Sequence, residues 1–369
     1  MKSKKFFRTV LLGGALLLTL ALPAFADGAK GEANITPDTP MKELRANPSI
    51  QGAGIYTYSQ ELENPCKRKL WENSNLREFV NKYTAEDCAN GLNQMIENYN
   101  NGIQITYKVY TEEEIAAQPE RENAEIYYFP GSQTNGKYAL IVGGNALFTS
   151  AELREGVSTA ERLNELGYTA FVLRYRVGWK AGENAPLDDL GHAVRYITQH
   201  AEEFGVQPEN YALVGYSSGG QITGLFGSDA LGWYQYGVPK PGALLMAYAV
   251  NDFFELKEPW KMVIDPWALE GEEHYYQLRV SDYITPDYPP VYHWYGRNDI
   301  VLMCMNWGLQ GPVLERALVK NNVPHVEAVY DDAPHKIGPG RGTPADGWLN
   351  RAVAFWEEQI AAQTEQPAA

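Results

Sequence analysis

From Ile103 to Ile360, short apolar runs alternate with stretches whose apolar positions recur every three or four residues. The first kind predicts strands and the second amphipathic helices. Ile103–Tyr110 alternates as a half-exposed strand does, and Ala124–Phe129 gives a second strand before the Pro130-Gly131 and Asn135-Gly136 turns. Strands are then expected at Tyr138–Val142, Tyr168–Arg174, Tyr211–Val214, Ala243–Val250, Pro290–Tyr295 and His325–Tyr330. Helices are expected at Ser158–Leu166, Leu187–Phe204, Gln221–Phe226, Asn306–Lys320 and Gly347–Ile360. Strands that alternate with crossover helices form a mainly parallel sheet covered on both faces, so the fold class is α/β and doubly wound. The alternation lapses between Asn251 and Pro289, a stretch rich in Trp, Tyr and Glu that suits a substrate-shaping insertion.

The N-terminal third follows other rules. Lys2, Lys4, Lys5 and Arg8 precede the apolar run Val10–Leu22, and Pro23-Ala24-Phe25-Ala26 supplies the small residues of an Ala-x-Ala site. This is the pattern of a secretory signal peptide cut after Ala26; its 13 apolar residues fall short of the ~20 that a spanning helix needs. Residues 27–54 are rich in Gly, Pro, Asn and Thr and predict a flexible leader. Residues 55–102 turn helical: Leu76, Phe79, Val80, Tyr83, Cys88, Leu92, Met95, Ile96 and Tyr99 fall at spacings of three, four and seven. The chain thus divides into a signal at 1–26, a leader at 27–54, a helical extension at 55–102, a main domain at 103–362 and a disordered tail at 363–369.

Charge narrows the partners. The net charge is −15, and loss of the signal takes it to −19, which disfavours nucleic acid and anionic membrane surfaces and favours a neutral or cationic small molecule. Three cysteines are too few for a disulfide framework; Cys66 and Cys88 are the candidate pair for a single bridge, with unpaired buried thiols the alternative. No cluster of His, Cys and carboxylates shows metal-ligand spacing, so neither a metal nor another cofactor is expected.

The chemistry centres on Asn210-Tyr211-Ala212-Leu213-Val214-Gly215-Tyr216-Ser217-Ser218-Gly219-Gly220. An apolar strand runs into Gly-x-Ser-x-Gly and a helix follows, the context in which that motif is a nucleophile elbow. Gly215 and Gly219 admit the sharp turn, and Ser217 stands at the positive end of the helix. A serine needs a base, and the base needs an acid to orient it. In such sheets these lie just beyond the strand ends, in the order Ser, acid, His. Of six histidines, His192 and His200 lie in a helix pattern, His293 and His325 in strand patterns, and His274 in the insertion. His335 alone lies in a loop straight after the last strand. Asp299, in the loop after Val291–Tyr295, is the expected acid, and Asp252, one strand earlier, is its rival. Backbone N–H groups of Ser218, Gly144 and Asn145 are the expected oxyanion donors, the last two from the loop after Tyr138–Val142.

Residues from about Ile103 to Ile360 resemble the alpha/beta-hydrolase fold, and within it the esterases grouped with acetyl-xylan esterases, feruloyl-esterase-like proteins and acetyl esterases. The resemblance is carried by Gly143-Gly144, Leu173-Arg174-Tyr175-Arg176, Ala185-Pro186-Leu187-Asp188-Asp189-Leu190, Gly215–Gly220, Pro289-Pro290, Gly296-Arg297-Asn298-Asp299 and Pro334-His335. It departs where Val142-Gly143-Gly144-Asn145 stands for the family's His-Gly-Gly-Gly and Gln221 for its histidine. The resemblance implies a secreted serine hydrolase of carboxylic esters, acting on small acyl groups of plant-derived carbohydrate. A prolyl-oligopeptidase-type peptidase and a non-catalytic carbohydrate-binding protein on the same scaffold are the alternatives. Trp179, Trp233, Trp260, Trp267 and Trp307 are candidates for a sugar- or aryl-binding wall.

Overall fold

The computed structural model describes residues 29–57, 73–133, 136–144, 151–177, 184–252, 278–305 and 308–365. Eight strands form one mixed sheet: β1 Thr106–Lys108, β2 Glu125–Phe129, β3 Tyr138–Val142, β4 Thr169–Arg174, β5 Ala212–Tyr216, β6 Ala243–Ala247, β7 Val291–Gly296 and β8 His325–Tyr330. Their spatial order is β1-β2-β4-β3-β5-β6-β7-β8. The two pairings at the β1 edge are antiparallel and the remaining five parallel. The central strands β3 to β6 are buried along their whole length, which is why each appears in the sequence as an unbroken apolar run.

The helices are α1 Met41–Ala46, α2 Pro48–Gly52, α3 Leu76–Val80, α4 Ala85–Asn100, α5 Glu112–Ala117, α6 Ser158–Glu165, α7 Ala185–Gln199, α8 Ala201–Phe204, α9 Ser218–Phe226, α10 Ile300–Cys304, α11 Gln310–Lys320 and α12 Trp348–Glu365. Successive side chains of a strand point to opposite faces, and β7 separates the two layers accordingly. His293 meets Glu315 of α11, whereas Trp294 packs on Trp348 of α12, ring centroids 5.7 Å apart. Likewise Gly215 of β5 lies under Thr223 of α9, and Tyr216 meets Trp348. The expected Leu187–Phe204 helix is broken at His200, whose Nδ1 lies 2.8 Å from the Tyr196 carbonyl oxygen.

The expected leader is structured. Met41 and Leu44 of α1 are fully buried and Ile50 of α2 nearly so. The residues that suggested a loop are helix-start residues: Pro48 opens α2, and the Asn47 side chain accepts from the Ser49 N–H at 3.0 Å. Burying each large apolar side chain stabilises by roughly 1.5–3 kcal/mol, which orders a segment that composition alone marks as loop. In the extension, α3 begins with an Asn75–Glu78 capping box, and α4 buries Cys88, Leu92, Met95 and Ile96 against α6. A Cβ on Gly91 would lie 2.7 Å from Val157 Cγ1, so glycine sets how closely α4 approaches. Cys88 is a buried free thiol, and Cys66 lies outside the described residues. The signal segment at 1–26 also lies outside them, as does most of the Trp-rich insertion. The last helix runs to Glu365, past the expected domain end at 362. Among the described residues no helix is long and apolar enough to cross a membrane.

Candidate active site

Ser217 sits between β5 and α9 with φ 49° and ψ −121°, a conformation that costs about 1–3 kcal/mol for a residue with a side chain. The end of β6 and the segment after it hold it there: its N–H donates to the Ala247 carbonyl at 3.1 Å, and its own carbonyl accepts from the Val250 N–H at 2.9 Å. The flanking glycines are enforced by contact. A Cβ on Gly219 would lie 2.3 Å from the Val142 carbonyl oxygen, and one on Gly215 2.5 Å from Thr223 Oγ1.

His335 closes on this serine from the loop after β8. Its Nε2 is 2.9 Å from Ser217 Oγ and its Nδ1 is 2.7 Å from Asp299 Oδ2. The His335 side chain is 5% exposed and that of Asp299 1%, so solvent does little to screen the pair. The second oxygen of Asp299 accepts from the Val301 and Leu302 N–H groups at the start of α10, which fixes the carboxylate plane. The loops after β7 and β8 are zipped together: Arg297 and Asn298 donate backbone N–H to the carbonyls of Tyr330 and Asp331, and Arg297 Nε pairs with Asp331. The expected acid and base therefore converge on the expected serine. The rival Asp252 is turned elsewhere, its carboxylate 3.4 Å from Arg279 Nε.

The oxyanion expectation needs correction at Gly144. Its N–H donates to Glu155 Oε2 at 2.7 Å and is thereby committed. The glycine is required for another reason, because a Cβ there would lie 2.6 Å from Ser217 Cβ. Asn145 lies outside the described residues. Ser218 is the first residue of α9, and the first amides of a helix have no intrahelical acceptor. Its N–H stands beside Ser217 with the helix dipole behind it.

Three residues that sequence reasoning missed border this centre. Tyr248, just past the end of β6 with φ 38°, packs against His335 with ring centroids 4.6 Å apart and planes tilted by 54°. Its hydroxyl donates to Glu155 Oε1 at 2.8 Å and accepts from the Gly338 N–H at 3.0 Å. Burial first, and the Glu155 charge second, push its phenol well above the usual range, so it stays a donor. Asn81, past the end of α3, donates its side-chain amide to the Lys336 carbonyl at 2.8 Å. No local signal marks these residues, since each acts through partners distant in sequence.

Other candidates among the described residues lie away from this centre. Trp233 follows the far end of the nine-residue helix α9, whose rise separates it from Ser217 by about 13 Å or more. Trp179, Trp260, Trp267 and Trp307 lie outside the described residues, as does His274. His192 packs on Tyr110, and burial lowers its imidazole pKa. His293, Glu315 and Glu327 offer donor atoms within 4.8 Å of one another. Glu315 already lies 3.1 Å from His293 Nε2 and 3.0 Å from His325 Nε2, however, and hydrogen bonds satisfy that arrangement without a cation.

A family model described as BD-FAE matches residues 124–306, a span that includes the elbow and Asp299. An acetyl ester-xyloside bifunctional hydrolase from Caldicellulosiruptor lactoaceticus superposes with a TM-score of 0.56 at 19% identity, over 69% of this chain and 95% of that one. This chain has the alpha/beta-hydrolase fold. Carboxylesterase Cest-2923 from Lactobacillus plantarum WCFS1 shares the fold with a TM-score of 0.53 at 18% identity, over 64% of this chain and 92% of that enzyme. The "Probable carboxylic ester hydrolase LipM" of Mycobacterium tuberculosis is 24% identical over 174 residues, 43% of this chain and 40% of that protein. The alignment thus spans well under half of that relative's length. Residues before Ala124 and after Asn306, His335 among the latter, lie outside the family match.

Proposed function

We propose that the protein is a serine hydrolase of carboxylic esters that works through an acyl-enzyme. The observation that carries this reading is a single imidazole within hydrogen-bond reach of both Ser217 Oγ and the Asp299 carboxylate. Ser217 attacks the acyl carbon and His335 Nε2 takes the hydroxyl proton. Asp299 fixes the tautomer and stabilises the imidazolium that forms. The proton then passes to the leaving alcohol, and water activated by the same nitrogen releases the acid. The Ser218 N–H, with Asn145 as its proposed partner, faces the oxyanion; a lost donor of this kind costs roughly 10²–10³ in kcat.

The proposed substrate class is small acyl esters of plant carbohydrate, the class implied by the sequence resemblance and in keeping with the name of the xyloside-hydrolase neighbour. Export through the signal at residues 1–26 is proposed with it, since such polymers lie outside the cell. The test is a p-nitrophenyl ester series of increasing acyl length, run beside acetylated xylan and aminoacyl anilides. Turnover of short esters that vanishes in Ser217→Ala is expected. Turnover of the anilides with none of the esters would favour a peptidase, and no turnover of either would favour a binding protein.

A further inference from the structure

Glu155 is fully buried, although it lies in the π-type turn Glu152–Val157 that follows the loop after β3. Removing a carboxylate from water costs several kcal/mol unless hydrogen bonds and charge partners offset it. Among the described residues no cationic side chain pairs with Glu155. Its two oxygens instead accept from the Gly144 N–H at 2.7 Å and the Tyr248 hydroxyl at 2.8 Å. An apolar residue of similar volume would serve mere packing as well or better. What the carboxylate adds is a connection. One oxygen holds the loop whose glycine touches Ser217, and the other holds the tyrosine packed against His335. That tyrosine also accepts from Gly338, three residues beyond the imidazole. A π-type turn and a positive φ at Tyr248 both carry a conformational cost, and such departures cluster at functional sites.

We infer that Glu155 and Tyr248 are positioning residues that hold the loop after β3 and the His335 imidazole in register with Ser217. The inference rests on the serine-hydrolase reading for its kinetic consequence only. The Gly144 N–H is on this account an anchor rather than an oxyanion donor.

The test uses the full chain with Glu155→Gln, Tyr248→Phe and the double variant, assayed on p-nitrophenyl acetate. The low-field proton resonance of the His335 Nδ1–Asp299 hydrogen bond is followed in the same samples without substrate. Each single variant is expected to lose on the order of 10- to 100-fold in kcat, with KM within about threefold. The double variant is expected to be no worse than the poorer single, because both break one chain of contacts. The proton resonance is expected to broaden or disappear in all three. Losses that multiply, or folded variants with kcat within about twofold of wild type and an unchanged resonance, would overturn the inference. If Glu155→Gln does not fold by circular dichroism, Tyr248→Phe, which keeps the ring and loses only the hydroxyl, decides by the same criteria. If the wild type has no Ser217-dependent turnover, the ester reading falls while the resonance alone decides the positioning role.

Discussion

The side-chain amide of Asn81 donates to the carbonyl of Lys336, the residue next to His335, at 2.8 Å. A residue of the N-terminal extension thus braces the loop that carries His335. Its own carbonyl oxygen accepts from the Tyr83 N–H at 2.8 Å, which fixes the amide's direction. Asn81 has φ 114°, so Ala would add backbone strain, whereas Asn81→Gly removes the brace, and with it the acceptor of the Tyr83 N–H, without that strain. That variant is expected to lose about three- to tenfold in kcat on p-nitrophenyl acetate with little change in KM. Steady-state kinetics beside a thermal melt separates this from general destabilisation.

Asp299 and Asp252 lie at the ends of successive strands, yet only Asp299 reaches the imidazole. Asp299→Asn is expected to lower kcat on the order of 10³-fold or more, because the neutral amide no longer holds the tautomer or the imidazolium. Asp252→Asn is expected to stay within about tenfold of wild type. The two variants assayed side by side check the assignment, and the reverse ranking would contradict it.

Glu161 of α6 provides a pH dependence. Burial, and then repulsion from Asp87, push its carboxyl from 4.5 up to about 7, against the opposing pull of Arg162, Arg341 and Asn90. Between those two values the folded protein holds a proton that the unfolded chain has released. Stability is therefore expected to fall as pH rises through about 4.5–7, with the full cost, on the order of 3 kcal/mol, present above that window. Asp87, raised by burial despite its ion pair with Arg341, adds to the slope. Glu161→Gln removes the Glu161 share, so its Tm is expected to exceed wild type at pH 8 and to converge with it near pH 5. Thermal melts across that range check this, and a difference independent of pH would contradict it.

Two glycines with the same substitution are expected to diverge. Gly219→Ala drives a Cβ to 2.3 Å from the Val142 carbonyl oxygen, within a packed strand–helix contact. It is expected to cost on the order of 3 kcal/mol and to abolish turnover. Gly205→Ala meets open space at φ 65° and costs only the left-handed conformation, about 1 kcal/mol. Urea denaturation of the two variants measures the contrast.

What the sequence disclosed follows from which interactions are local. The strands β3 to β6 are buried on both faces, so their burial is written into consecutive apolar residues. The elbow is legible for the same reason, since the glycines that permit it are two residues from Ser217. Asp299 and His335 could be placed because parallel topology puts the ends of β7 and β8 at one rim. Glu155 escaped because a buried carboxylate in a short turn looks like any surface glutamate, and its partners Gly144 and Tyr248 are 11 and 93 residues away. The same distance hid the role of Asn81, 255 residues from Lys336. The order of the leader is not legible in its composition because Pro and Asn serve loops and helix starts alike, and only burial of Met41, Leu44 and Ile50 distinguishes the two.

The most direct measurement is covalent labelling with a fluorophosphonate ester, followed by peptide mass spectrometry and residual turnover of p-nitrophenyl acetate. The expected result is one phosphonyl group on Ser217 with turnover lost in proportion, and neither labelling nor turnover in Ser217→Ala or His335→Ala. Turnover that survives in Ser217→Ala, or a wild-type protein that takes up no label, would contradict the account.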